Sequence, residues 1–123
     1  NPLKWGLMGQ GPKVDLLKEL VPEQFQPSTT AFERAAADGV VVTQVAPTYQ
    51  AGSGLTRAAL RGGDFRPTFS SGDLVDGVLT ALSTADRTLV YAYHGDLDMT
   101  GHVRGPQSES WALELHQIDL TID

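Results

Sequence analysis

The run Thr88-Leu89-Val90-Tyr91-Ala92-Tyr93 is apolar at odd and even positions alike. Successive side chains of a strand point to opposite faces, so this run needs cover on both. Strands covered on both faces belong to parallel sheets with helices above and below. The run therefore predicts a central strand of such a sheet. A second run, Val40–Val45, is rich in β-branched residues and predicts another strand. Between the two, Leu74, Val75, Val78, Leu79 and Leu82 recur at helical spacing, and Ser71 can cap the helix they define. Strand, helix, strand predicts an α/β fold, a mostly parallel sheet with flanking helices.

The remaining elements follow from local signals. Thr30-Ala31-Phe32-Glu33 matches a capping box and opens a helix that Gly39 stops. Lys13–Val21 predicts a short helix with Val14, Leu17, Leu20 and Val21 on one face, ended by Pro22. Leu55–Arg61 predicts another, ending at Gly62-Gly63, while Ala46–Gly54 and Arg66-Pro67 read as loops. A last helix begins near Ser108, with Trp111, Leu115, Ile118 and Ile122 as its apolar stripe. A chain of 123 residues suits one compact domain, so residues 1–123 read as a single α/β segment. The chain opens without Met, and its last helical pattern runs to the final residue. Both features lead us to expect an excerpt of a longer protein.

Charge narrows the class of ligand. Nine Lys and Arg against fifteen Asp and Glu leave a net charge of -6, which speaks against binding a nucleic-acid backbone. No run approaches the ~20 apolar residues of a membrane span. The chain has no cysteine, which excludes disulfides and thiolate metal sites. From Asp86 onward there are seven acidic residues and two basic ones, together with all three histidines, His94, His102 and His116. Carboxylates beside imidazoles suit a divalent cation.

The stretch after Tyr93 concentrates these groups: His94-Gly-Asp96-Leu-Asp98-Met-Thr-Gly101-His102. It follows the carboxyl end of a predicted strand, where open α/β sheets gather their ligands. On a helical turn, Asp98 and His102 share one side. A carboxylate oxygen and a neutral imidazole are ordinary zinc ligands at ~2.0–2.2 Å. Gly101 would let a neighbour approach the backbone closely. Taken alone, an Asp-x-x-x-His spacing also arises from a capping Asp followed by a surface His. His94 and Asp96 could join the pair in a self-contained four-ligand site, although strand alternation sends residues 94, 96 and 98 one way and leaves His102 to fold back. Arg57, Arg61 and Arg66 could neutralise a phosphate but read first as solvated loop residues. Tyr91, Tyr93 and Trp111 read as core aromatics and His116 as structural.

The longer string Asp98-Met-Thr-Gly101-His102-Val-Arg-Gly105-Pro106-Gln-Ser108, preceded by a Tyr-containing strand and followed by a helix carrying Leu115-His-Gln-Ile-Asp119, resembles the type I phosphodiesterase/nucleotide pyrophosphatase family of the alkaline phosphatase superfamily. Asn1–Trp5 and Leu55–Gly62 are also similar to bacterial members. The resemblance covers most of the chain, and its specific part is Asp98–Pro106. It implies an alkaline-phosphatase-like core. It also implies that Asp98 and His102 bind one zinc ion of a pair, and that the nucleophile and the other ligands lie outside this sequence. Thr29, Thr30 and Thr56 do not stand in the family's nucleophile context. Arg104 stands where members often carry an aromatic residue, and Asp96 where they often carry Glu or Pro. Those departures bear on the substrate group rather than on the metal pair.

Two expectations follow. The first is a metal-dependent hydrolase of phosphodiester, pyrophosphate or phosphomonoester bonds in the full-length parent, acting on a small phosphoester or nucleotide. The chain here would be inactive alone and, with two ligands, would bind zinc weakly or not at all. The second is a non-catalytic α/β module used for partner or metal binding.

Overall fold

The computed structural model describes residues 20–122. The predicted helix at Lys13–Val21 lies almost wholly outside them. Its expected stop, Pro22, instead occupies the first turn of helix α1 (Pro22–Phe25). Proline suits that position because the missing N–H would have no helical partner there.

Helix α2 (Ala31–Ala37) starts at the expected capping box. Thr30 Oγ1 accepts from the Glu33 backbone N–H at 3.0 Å, and the Glu33 carboxylate accepts from the Thr30 N–H at 2.7 Å. Strand β1 (Val41–Pro47) follows, then a 3-10 turn at Thr48–Gln50 and helix α3 (Gly54–Ala59). Strand β2 (Asp64–Thr68) occupies the stretch that reads as a loop in the sequence. Its Pro67 cannot donate to a ladder, and among the described residues β2 is bonded on one side only, to β1. Helix α4 (Ser71–Leu82) matches its predicted span, with its cap one residue earlier than expected, at Ser70. Strand β3 (Thr88–Ala92), helix α5 (Asp96–Arg104) and helix α6 (Glu109–Ile122) complete the chain.

The three strands form an all-parallel sheet in the order β2-β1-β3. Thus β1 is the middle strand among the described residues, and β3, the predicted centre, lies at one edge. Val45 and Ala46 of β1 are fully enclosed, whereas Leu89 of β3 remains well exposed. Apolarity on both faces shows that a strand can accept cover. Which strand receives it depends on where the crossovers place it.

Helices cover both faces. Thr43 pairs with Val90 and Gln44 with Tyr91, so Val45 and Val90 share one face and Tyr91 points to the other. On the first face Leu74, Val78 and Ala81 of α4 pack with Val45 and Val90 to form the core. Helix α4 comes close because position 77 has no side chain: a Cβ there would stand 2.8 Å from Val45 Cγ1. On the second face the rings of Phe32 (α2) and Tyr91 lie 5.9 Å apart at 58°.

The arginines are structural links rather than solvated loop residues. Arg57 grips Glu23 with two bonds of 2.8 Å. Arg61 reaches Glu33, the Ala58 carbonyl and the Ser28 carbonyl. Arg66 meets Asp76 at 3.1 Å. No described helix is long and apolar enough to cross a membrane.

Candidate metal-binding site

The carboxyl ends of all three strands open onto one recess of about 220 Å³, lined by Thr48, Tyr49, Thr68, Ser70, Ser71 and His94 among others. That is below the ~300–1,000 Å³ of a usual small-molecule pocket. A second, shallower recess adjoins it through Tyr93 and His94, and its wall carries Asp98, Gly101, His102 and Trp111.

The backbone after β3 is helical rather than a loop, and this decides how the candidate ligands are grouped. Asp98 and His102 stand one turn apart on α5, with Asp98 Oδ1 3.4 Å from His102 Nε2. Asp98 lies in the first turn, where the helix dipole favours a carboxylate. Both side chains are open to solvent, at 70% and 78% exposure. Asp96 is two residues from Asp98, roughly 200° around the helix, so the two carboxylates diverge. The single four-ligand site considered from the sequence therefore does not form.

Asp96 instead turns toward His94, with Oδ2 3.9 Å from Nε2. Glu114 of α6 joins them: one ligand atom from each of His94, Asp96 and Glu114 lies within 4.8 Å of the others. Sequence spacing gave no signal for Glu114, because it reaches the group only when α6 docks on α5. That docking places Trp111 against Gly101, where a Cβ would lie 3.4 Å from the indole. It also turns α6 from the expected setting. Trp111, Glu114, Ile118 and Thr121 face inward, while Leu115 and Ile122 of the predicted stripe are exposed. His116 is exposed too, so it holds no structural place in a core.

His94 is mostly enclosed, at 16% exposure. Its Nε2 is 3.4 Å from Ser71 Oγ, and its buried Nδ1 has no hydrogen-bond partner among the described residues. A Ser–His–Asp catalytic triad needs the acid on the nitrogen opposite the serine. Here Ser71 and Asp96 both approach Nε2, so the arrangement is not that triad. Burial, aided by the Asp98 charge, raises the Tyr93 phenol above its ordinary pKa. Thr30 and Thr56 are occupied structurally, donating to the Arg61 and Gln50 carbonyls at 2.6 and 2.9 Å.

No protein-family model matches this chain, and neither a curated protein nor a solved structure shows significant similarity to it.

Proposed function

We propose that the full-length protein is a metal-dependent hydrolase of phosphodiester, pyrophosphate or phosphomonoester bonds, of the type I phosphodiesterase/nucleotide pyrophosphatase kind. In this reading Asp98 and His102 hold one zinc ion of a pair, and other segments supply the remaining ligands and the nucleophile. The observation that carries it is the 3.4 Å between Asp98 Oδ1 and His102 Nε2, on one face of α5 beside the carboxyl end of β3. Two ligands at ~2.1 Å from a tetrahedral ion stand roughly 3.4 Å apart. The pair could therefore share an ion without rearrangement. Its exposure leaves room for further ligands and for a phosphoryl group. Zinc held there would supply Lewis acidity toward a phosphoryl oxygen. Tyr93, protonated at neutral pH and lining the same recess, is placed to donate to a substrate oxygen.

The test is hydrolysis of bis(p-nitrophenyl) phosphate and ATP by the full-length protein, before and after chelation. Expected are turnover restored by zinc and a loss exceeding ~100-fold in Asp98→Asn and in His102→Ala, since even residues behind the ligands cost ~10–100-fold. Absence of turnover with zinc on any phosphoester would sink the reading, as would turnover that survives Asp98→Asn.

A further inference from the structure

We infer that His94, Asp96 and Glu114 form a second, self-contained site for a divalent cation of the zinc class, one that ties α6 to the end of β3. The inference is independent of the hydrolase reading, because it uses neither Asp98 nor His102.

Geometry is the first support. The three residues come from the link after β3, the start of α5 and the middle of α6, yet their ligand atoms lie within 4.8 Å of one another. Ligands on one ion at ~2.0–2.2 Å stand ~3–4 Å apart, and the His94–Asp96 separation of 3.9 Å already falls in that range.

Unbalanced charge is the second. Glu114 is half-buried and has no hydrogen-bond or ion-pair partner among the described residues. Asp96 has His94 alone, at 3.9 Å. Two carboxylates drawn together without a cation repel each other, and a half-buried one also loses hydration. A divalent ion removes both costs.

The third support is the setting of α6. Its inward face carries Glu114 between Trp111 and Ile118, so the docking that covers this apolar pair also brings the carboxylate to His94 and Asp96.

Donor chemistry selects the ion. One imidazole with two carboxylates suits zinc or manganese, whereas magnesium and calcium prefer oxygen throughout.

Calorimetric titration of the 123-residue chain, in which Asp98 and His102 alone supply too few ligands for tight binding, with zinc chloride near neutral pH tests this. Expected is one equivalent bound, weakened at least ~10-fold in His94→Ala and in the near-isosteric Asp96→Asn and Glu114→Gln. Asp98→Asn and His102→Ala should leave this binding within about twofold of the parent. Circular dichroism of each variant confirms that the fold persists, and the two isosteric variants keep the test decisive if His94→Ala unfolds. Absence of saturable zinc binding would overturn the site. Binding lost in His102→Ala but kept in Glu114→Gln would overturn it equally, as would calcium binding as strong as zinc.

Discussion

Gly101 of α5 lies against Trp111 of α6, with space for a Cβ 3.4 Å from the indole Cδ1 and Nε1. This contact sets the angle at which the two helices meet, and each residue neighbours a candidate ligand: His102 follows Gly101, and Glu114 lies one turn beyond Trp111. Because 3.4 Å is ordinary van der Waals contact, Gly101→Ala should fit. It should stabilise the chain by ~0.5–1 kcal/mol through the better helix propensity of alanine. Gly101→Leu would force the helices apart and should lower stability by ~1–3 kcal/mol. Urea unfolding of both variants checks the pair of opposite signs.

The Asp98–His102 pair provides two ligands, and a catalytic zinc ordinarily has three protein ligands plus an open position. The 123-residue chain alone should therefore not hydrolyse nucleotide or aryl phosphodiesters at an enzyme-like rate. Release of p-nitrophenol from bis(p-nitrophenyl) phosphate in the presence of zinc measures this. Robust turnover removed by Asp98→Asn would show instead that the catalytic site is complete within this sequence.

The capping box should report on acid stability. The hydrogen bond from the Thr30 N–H holds the Glu33 carboxyl below its ordinary pKa; burial opposes it, and the Arg61 guanidinium adds to the lowering. A carboxylate with a depressed folded pKa contributes stability above its unfolded pKa, and that contribution disappears as pH falls through the folded value. The urea midpoint should thus drop between neutral pH and about pH 3, and drop less in Glu33→Gln, which cannot ionise. Thr30→Ala removes the cap to the Glu33 N–H and the bond to the Arg61 carbonyl, and should cost ~0.5–2 kcal/mol at neutral pH.

Gly77 offers a sharper steric test than Gly101. A Cβ at position 77 would approach Val45 Cγ1 to 2.8 Å, and Val45 is fully enclosed in the central strand. Gly77→Ala should destabilise by ~1–3 kcal/mol, although alanine is the better helix former. Thermal unfolding should show a lower Tm, and an unchanged or higher value would mean that α4 can lift from the sheet without loss.

Local order was legible in the sequence because its causes are local. The Thr30–Glu33 cap, the periodic face of α4 and the β-branched run of β1 each depend on neighbours within a few residues, and each forms where expected. The Asp98–His102 pairing was legible for the same reason, since one helical turn joins the two. Strand β2 was not: Arg66-Pro67 carries little strand propensity, and it is strand only because β1 lies beside it. Nor was the middle position of β1, because apolarity marks what a strand tolerates and the crossovers decide what it receives. The grouping of His94 with Glu114 belongs wholly to tertiary structure. It exists because Trp111 seats on Gly101 and turns α6, a contact between distant residues that no periodicity within either helix encodes.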